Sequence, residues 1–170
     1  EINIAYNDGG AVVMGYYYLN PTGQLNNTIR ASKFSDNKAT RYGGAVRIDS
    51  EGNAIDASEF YYNNAQIGGA VSINSKHNNI DHSNFEHNKA TDEGGAVNLN
   101  TEYLVINNTN MSLNKANYGG AVYVNYWAFN AVVDNSNFVE NEAFSNGGAI
   151  YWHAQKGTVN NSAFYKNWVH

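Results

Sequence analysis

The feature that most constrains this chain is a tetrapeptide, Gly-Gly-Ala-Val, which recurs along its whole length and reads Gly-Gly-Ala-Ile in its last copy. The steps between successive copies are 34, 25, 26, 25 and 28 residues. A period of this size is typical of stacked solenoid repeats rather than of one closed core. The copies begin at Gly9, Gly43, Gly68, Gly94, Gly119 and Gly147.

A second motif, Phe-x-x-Asn, runs in phase with the glycines. Met111 replaces its Phe in one copy, and Ile4 with Asn7 resembles a partial opening copy. An Asn side chain turned inward carries both a donor and an acceptor, so that equivalent residues on successive coils can bond each other. We therefore predict a buried structural ladder. Its members are Asn37, Asn63, Asn88, Asn114, Asn141 and Asn167.

Apolar residues recur between these motifs in short alternating runs, the pattern expected of β-strands rather than of helices. Breaks in the alternation before Phe and after Asn mark turns. The sequence thus predicts an all-β fold, a right-handed parallel β-helix of about six to seven coils with three short strands per coil. We expect residues 1–170 to form one domain, and we expect it to be a fragment of a longer protein because the chain starts and stops within repeat units.

Composition argues against several classes of function. The formal charge is −5 and the basic residues are scattered, so no basic surface is available for a nucleic acid. The chain has no cysteine, which removes disulfides and thiol chemistry. No apolar run reaches the roughly 20 residues of a membrane span. We therefore predict no nucleic-acid partner and no membrane insertion by this segment.

The alternation of Gly-Gly-Ala-Val/Ile with Phe-x-x-Asn resembles the repeat of the chlamydial polymorphic outer membrane proteins. The Asn-rich, cysteine-free composition resembles the adhesin-like surface proteins of methanogenic archaea even more. The resemblance covers residues 4–167 and departs from the pattern at Met111 and in the truncated first unit. It implies an exported, extracellular protein displayed on the cell surface and used in adhesion. Such repeats define a fold, so the resemblance assigns no catalytic residue.

Two repeat units are longer than the others, and both insertions fall in the same turn. Aromatic residues dominate these insertions, and aromatic rings on a rigid scaffold suit the apolar faces of sugars. We predict that they contact a glycan or protein of a host or neighbouring cell, although packing within the stack or capping of its end explains the same residues. The predicted contact residues are Tyr16, Tyr17, Tyr18, Tyr103, Tyr123, Tyr126, Trp127, Phe129 and Tyr151.

A column of acidic residues is the alternative candidate. Asp56 and Asp81 are expected one coil apart, close enough to raise a pKa or to hold Ca²⁺, and Arg30 is placed to pair with Asp56. A row of solvated ion pairs explains the same column equally well. Asp134 continues it. The histidines His77, His82 and His87 map to three different corners, so we predict no shared zinc site. We also assign no other metal and no cofactor to the chain.

These observations favour a noncatalytic cell-surface adhesin segment. A polysaccharide-acting enzyme or tailspike-type β-helix, using Asp56, Asp81 and Asp134 as acids, is the first alternative, and a structural stalk is the second. Uncovered terminal coils are strand edges, so end-to-end self-association is a further expectation.

Overall fold

The computed structural model describes residues 3–15 and 26–170, and all regular elements among them are β-strands. In chain order these are β1 Ile4–Ala5, β2 Val12–Met14, β3 Thr28–Arg30, β4 Lys33–Ser35, β5 Lys38–Ala39, β6 Val46–Ile48, β7 Ala54–Asp56, β8 Glu59–Tyr61, β9 Asn64–Ile67, β10 Val71–Ile73, β11 Asn79–Asp81, β12 Asn84–Glu86, β13 Lys89–Glu93, β14 Val97–Leu99, β15 Val105–Asn107, β16 Asn110–Ser112, β17 Lys115–Tyr118, β18 Val122–Val124, β19 Val132–Asp134, β20 Asn137–Val139, β21 Glu142–Asn146, β22 Ile150–Trp152, β23 Thr158–Val159, β24 Ala163–Tyr165 and β25 Trp168–Val169.

These strands lie in four parallel sheets, and successive strands of the chain enter the sheets in turn. Sheet 1 contains β1, β5, β9, β13, β17, β21 and β25, and sheet 2 contains β2, β6, β10, β14, β18 and β22. Sheet 3 runs from β3 to β23, and sheet 4 runs from β4 to β24, in steps of four strands. Each strand therefore pairs with its equivalents one coil before and one coil after, which is the arrangement of a β-solenoid.

The predicted all-β parallel solenoid is confirmed, but the number of coils is smaller than expected. The described residues form five complete coils, β3–β6 through β19–β22, with partial coils at both ends. The three predicted segments are present in each complete coil. A fourth short strand, in sheet 1, occupies the stretch after the ladder Asn, where the sequence suggested only a turn.

The core is a set of columns in which equivalent apolar residues face each other across the coils. In sheet 4, Phe34, Phe60 and Phe85 are register partners, and the rings of Phe60 and Phe85 stack with centroids 4.5 Å apart. Phe60 and Phe85 are fully buried, and burial of such a side chain stabilises the fold by about 1.5–3 kcal/mol. Met111 takes the Phe position in the next coil and is also fully buried.

The paired glycines have two separate structural roles. Gly68 has a φ of 64°, a conformation that side chains with a Cβ rarely adopt. Gly69 lies against the following coil, where a Cβ would overlap the carbonyl oxygen of Gly95. The glycines therefore permit close approach of neighbouring coils, so no ligand is needed to explain them.

The predicted asparagine ladder is confirmed from Asn37 to Asn167. At Asn63, Nδ2 donates to Oδ1 of Asn88 over 2.9 Å and to the carbonyl of Phe34 over 3.1 Å. Its Oδ1 accepts from Nδ2 and from the backbone N–H of Asn37, over 2.9 Å and 3.1 Å. Each side-chain amide in the middle of the ladder thus has hydrogen-bond partners for both its N–H groups and its oxygen. The Nδ2–Oδ1 bonds between Asn88, Asn114, Asn141 and Asn167 are 2.9–3.1 Å long.

The ladder begins at Asn3 rather than at Asn7. Nδ2 of Asn3 donates to Oδ1 of Asn37 over 2.8 Å, and Ile4 pairs with Lys38 rather than with a Phe position. The proposed Ile4/Asn7 opening copy is therefore wrong, because Asn3 precedes Gly9 by six residues, as Asn37 precedes Gly43, whereas Asn7 precedes Gly9 by only two.

A second, shorter ladder was not predicted. Nδ2 of Asn27 donates to Oδ1 of Asn53, and Nδ2 of Asn53 donates to Oδ1 of Asn78, both over 3.0 Å. In the next two coils Leu104 and Ala131 take this position and are fully buried. One interior corner is thus polar in the first half of the solenoid and apolar in the second.

We predict that Asn88→Ala lowers the free energy of unfolding by about 1–3 kcal/mol, because it leaves buried groups of Asn63, Asn114 and Phe60 unpaired. The matched control is Asn79→Ala, which removes an exposed asparagine of the same coil and should cost less than about 0.5 kcal/mol. Denaturant unfolding measures both. Equal stability of the two variants would contradict the ladder.

Candidate ligand-binding surface

Most of the predicted aromatic contact residues meet in one group near the end of the solenoid. We call this group the aromatic cluster, and it joins side chains of sheet 2, of the neighbouring end of sheet 1 and of the corner after β18. Its members are Tyr118, Tyr123, Tyr126, Trp127, Phe129, Tyr151 and His153.

Ring contacts run through the cluster without a break. Tyr151 lies 5.4 Å from Tyr123 and 5.6 Å from Tyr118, measured between ring centroids. His153 links Tyr151 to Tyr126, at 6.0 Å and 5.6 Å. Tyr126 in turn contacts Trp127 edge-on at 4.9 Å. Edge-to-face and offset contacts at these distances are favourable, so the cluster forms one surface rather than separate exposed rings.

The outer part of the cluster comes from the insertion of the fifth repeat unit. Trp127 is 62% exposed and Tyr126 is 40% exposed, whereas Ala128, which follows them, is fully buried. The N–H of Ala128 donates to the carbonyl of Asn125 over 2.9 Å, and the carbonyl of Phe129 accepts from the N–H of Tyr103 over 3.0 Å. The insertion is therefore anchored to the stack, and its rings are held in place by the backbone.

The inner part of the cluster is less accessible than the sequence suggested. Tyr123 and Tyr151 are register partners in sheet 2, but Tyr123 is only 7% exposed. The predicted contact residue Tyr123 is therefore largely covered, because the Tyr151 ring and the Glu93 carboxylate lie against it. Tyr118 and His153, which are not among the predicted contact residues, complete the group.

The remaining predicted contact residues are not in the cluster. Tyr103 lies one coil before the insertion, and its ring stacks on His77 at 5.2 Å. Tyr16, Tyr17 and Tyr18 lie outside the described residues.

A half-buried acid, Glu93, lies next to the inner part of the cluster. The carboxylate of Glu93 accepts hydrogen bonds from the Tyr123 hydroxyl and from Nδ2 of Asn98, the latter over 3.1 Å. Burial raises the pKa of Glu93, and the charge of Asp92 raises it further. Burial and then the Glu93 charge raise the pKa of Tyr123 to about 12. The Tyr123 hydroxyl therefore stays protonated at neutral pH and acts as a donor.

A row of amides extends from the cluster along the same corner of the solenoid. Nδ2 of Asn100 donates to Oδ1 of Asn74 over 3.2 Å, and Nδ2 of Asn74 donates to Oδ1 of Asp49 over 3.0 Å. Asn125 follows one coil after Asn100, directly before the aromatic insertion. Half-buried amides and exposed rings thus share one side of the molecule.

The acidic column forms a separate site in sheet 3. Asp56 and Asp81 are register partners, and their carboxylate oxygens and a ring nitrogen of His82 lie within 4.8 Å of one another. Arg30 pairs with Asp56 over 3.0 Å, and Nδ2 of Asn108 donates to Asp81 over 3.0 Å. The predicted Arg30 pairing is confirmed.

The column does not bring all three predicted acids together. Asn107 pairs with both Asp81 and Asp134 in the register, so Asp134 lies two coils from Asp81. Asp134 instead accepts from Nδ2 of Asn161 over 3.0 Å. The structure therefore offers a pair of carboxylates at this site and not a trio.

The histidines occupy different surroundings, as predicted. His77 stacks on Tyr103, and His87 stacks on Tyr62 at 4.8 Å, while His82 faces the acidic pair. Among the described residues, Asp56, Asp81 and His82 are the group whose ligand atoms come close enough together for a cation.

A scan against protein-family models, a search of curated proteins and a search of solved structures found no match to this chain. In residues 3–15 and 26–170, no helix has the length and apolar character needed to cross a membrane. The function must therefore be inferred from the two surface sites.

We predict that Glu93→Gln lowers the pKa of Tyr123, because the substitution removes a nearby negative charge but retains the buried surroundings. The ultraviolet tyrosinate titration of this variant, taken as a difference from its Tyr123→Phe counterpart, isolates the residue. A partial shift from about 12 toward the usual value is expected. An unchanged titration would show that Glu93 does not act on Tyr123.

Proposed function

We propose that this chain is a noncatalytic segment of an extracellular cell-surface adhesin, and that it binds a glycan of a host or neighbouring cell through the aromatic cluster. The observation that carries the proposal is the unbroken set of ring contacts from Tyr118 to Trp127 on one side of a rigid solenoid. The repeated parts of the chain build the scaffold, and the insertion after β18 departs from the repeat.

The chemistry of the cluster suits a sugar chain. Tyr126 and Trp127 present large exposed ring surfaces, on which the C–H faces of pyranose rings can stack. Asn100 and Asn125 are half-buried beside them and supply the donors and acceptors that hydroxyl groups require. Because these side chains are held by the solenoid, little conformational entropy is lost when a ligand binds.

The direction of the ligand follows from the same arrangement. The amide row runs along the solenoid axis, from Asn125 back through Asn100 and Asn74. An extended glycan that stacks on Trp127 therefore meets one amide per coil if it lies parallel to this axis. Binding should then strengthen with oligosaccharide length and level off when the row is filled.

The test is a glycan-array and cell-binding comparison of the wild-type chain with a Tyr126→Ala/Trp127→Ala variant. Loss of two exposed aromatic contacts should weaken glycan binding about tenfold or more. The matched control is Phe144→Ala, which removes a 60% exposed aromatic residue of sheet 1 that stacks on His170. Glycan binding that survives in the double variant, or its equal loss in the control, would refute the proposed site.

A polysaccharide-acting enzyme is the second candidate, and the proximity of Asp56, Asp81 and His82 favours it. An enzyme that uses this pair as acid and base should lose activity when Asp81 becomes Asn, whereas an adhesin should retain ligand binding. We predict unchanged glycan and cell binding in Asp81→Asn. Polysaccharide cleavage by the wild-type chain that disappears in this variant would favour the enzyme.

A further inference from the structure

The row of amides at the corner after sheet 2 has one step that differs from the others. Asp49, Asn74, Asn100 and Asn125 occupy equivalent positions on four successive coils, each directly after a register-paired residue of sheet 2. Nδ2 of Asn74 donates to Asp49, and Nδ2 of Asn100 donates to Asn74. Nδ2 of Asn125 donates neither to Asn100 nor to any other residue in the ranges 3–15 and 26–170. The row is therefore open at its third step, next to the aromatic cluster.

The open step has a local cause in the insertion of the fifth repeat unit. Oδ1 of Asn125 accepts from the backbone N–H of Trp127 over 3.3 Å, so the side-chain oxygen is turned toward the insertion. The backbone of Asn125 is fixed on both sides, because its N–H donates to the carbonyl of Leu99 and its carbonyl accepts from the N–H of Ala128, both over 2.9 Å. The side-chain amide is therefore held by the turn that carries Trp127.

The open step leaves one donor and one acceptor available to a ligand. Within the part of the chain that the structure describes, neither Nδ2 of Asn125 nor Oδ1 of Asn100 has a hydrogen-bond partner. Both residues are half-buried. The two atoms can be reached from solvent, because the enclosed unpaired side-chain atoms of the described residues belong to Asp8 and Ser72.

We propose that Asn100 and Asn125 recognise one free hydroxyl group of the sugar that stacks on the aromatic cluster, with Nδ2 of Asn125 as the donor and Oδ1 of Asn100 as the acceptor. This inference rests on the proposed glycan binding and adds the class of ligand. The bound sugar carries a hydroxyl at this position that is neither removed nor substituted, and the two asparagines determine this specificity.

The spacing of the coils fits a single oxygen atom between the two amides. Neighbouring strands of a sheet lie about 4.8 Å apart, and two hydrogen bonds of about 2.8 Å that meet at a hydroxyl oxygen span about 4.6 Å. The two closed steps of the row have N–O distances of 3.0 Å and 3.2 Å, so no atom can lie between their amides. The hydroxyl would thus take the place that a direct amide–amide bond fills in the earlier coils.

The pair selects a hydroxyl because it combines one donor with one acceptor. A carboxylate would bond to Nδ2 of Asn125 but would place a second acceptor against Oδ1 of Asn100. An ammonium group would bond to Asn100 but would leave the Asn125 donor unpaired. A methoxy group or a hydrogen in place of the hydroxyl cannot donate to Asn100. Each of these four replacements should therefore weaken binding, since an unpaired polar group costs free energy.

Exposed rings adjoin the open step and can place the sugar. His153 occupies the next position of the same column, and its ring contacts Tyr126 with centroids 5.6 Å apart. Tyr126 and Trp127 follow Asn125 directly in the chain. A pyranose ring that stacks on these side chains can therefore direct a hydroxyl at its edge toward the two amides.

The test combines a change in the protein with a change in the sugar. Asn125→Ser keeps an oxygen that can accept from the Trp127 N–H, but it has no donor at the position of Nδ2. The probes are the methyl pyranosides of glucose, mannose and galactose and their monodeoxy forms, and NMR titration measures their binding. For the wild-type chain, removal of one particular hydroxyl should weaken binding about tenfold. For Asn125→Ser the same removal should weaken binding only about threefold, because one of the two hydrogen bonds is already lost.

Two results would overturn the inference. One is a loss of about tenfold in both proteins, which would place the hydroxyl away from Asn125. The other is equal binding of all monodeoxy forms by the wild-type chain. The matched control is Asn79→Ser, which replaces an exposed asparagine of sheet 3 and should bind like the wild-type chain.

The same spectra give a second measurement that needs no variant. The Nδ2 protons of Asn125 should shift when a pyranoside binds, whereas those of Asn88 in the buried ladder should not. If binding requires Tyr126 and Trp127 but leaves the Asn125 signals unchanged, the hydroxyl recognition is wrong and the aromatic site stands. If no pyranoside binds the wild-type chain, the result contradicts both this inference and the proposed function.

Discussion

The fold depends on buried amides that bond one another from coil to coil. Backbone polar groups at a buried corner of the coil must find hydrogen-bond partners without water. At the ladder corner, each asparagine accepts two hydrogen bonds from the preceding coil and donates one to the following coil. It also donates to a backbone carbonyl of the Phe strand in the preceding coil. One side chain therefore pairs with backbone groups of the preceding coil and with the ladder asparagines of both neighbouring coils.

This interaction requires that coils lie directly above one another, and other columns follow from that condition. Gly69 must lack a side chain because the next coil approaches its Cα closely. Phe60 and Phe85 must stack almost parallel, with 2° between their planes. Residues that recur in every coil are thus needed for the stacking of the coils, whereas residues that interrupt the repeat are available for contact with a ligand. The aromatic cluster lies at such an interruption, where rings from two successive coils meet the insertion.

The sequence predicts the columns that recur in every coil and fails where a column is short or weakly marked. The pairing of Asn63 with Asn88 was predictable because an asparagine that recurs at a fixed offset from a core Phe is expected to be buried. A buried amide needs hydrogen-bond partners, and the equivalent asparagine of the next coil supplies them. The Asn27–Asn53–Asn78 ladder was missed because Leu104 interrupts it after three coils. The strands of sheet 1 were missed because each turns inward only a small residue. These residues are Ala39, Ala65, Ala90, Ala116 and Ala143.

The surface was harder to predict than the core. Alternation shows that Tyr123 points away from the core, but burial depends on what covers it, and Glu93 and Tyr151 come from other coils. Tyr118 and His153 carried no signal of their own, because their place in the cluster arises from the bulged end of sheet 1 and the corner after β22. The insertion containing Trp127 could be found because it changes the repeat length.

A double-mutant cycle on Asn63 and Asn88 tests the central claim most directly, since their side chains share a 2.9 Å hydrogen bond. If coils are joined by this ladder, the unfolding free energies of the two alanine variants should be non-additive by about 0.5–3 kcal/mol. The pair Asn63 and Asn141, separated by two intervening ladder asparagines, should be additive within about 0.5 kcal/mol. Additive effects for Asn63 and Asn88 would contradict the account.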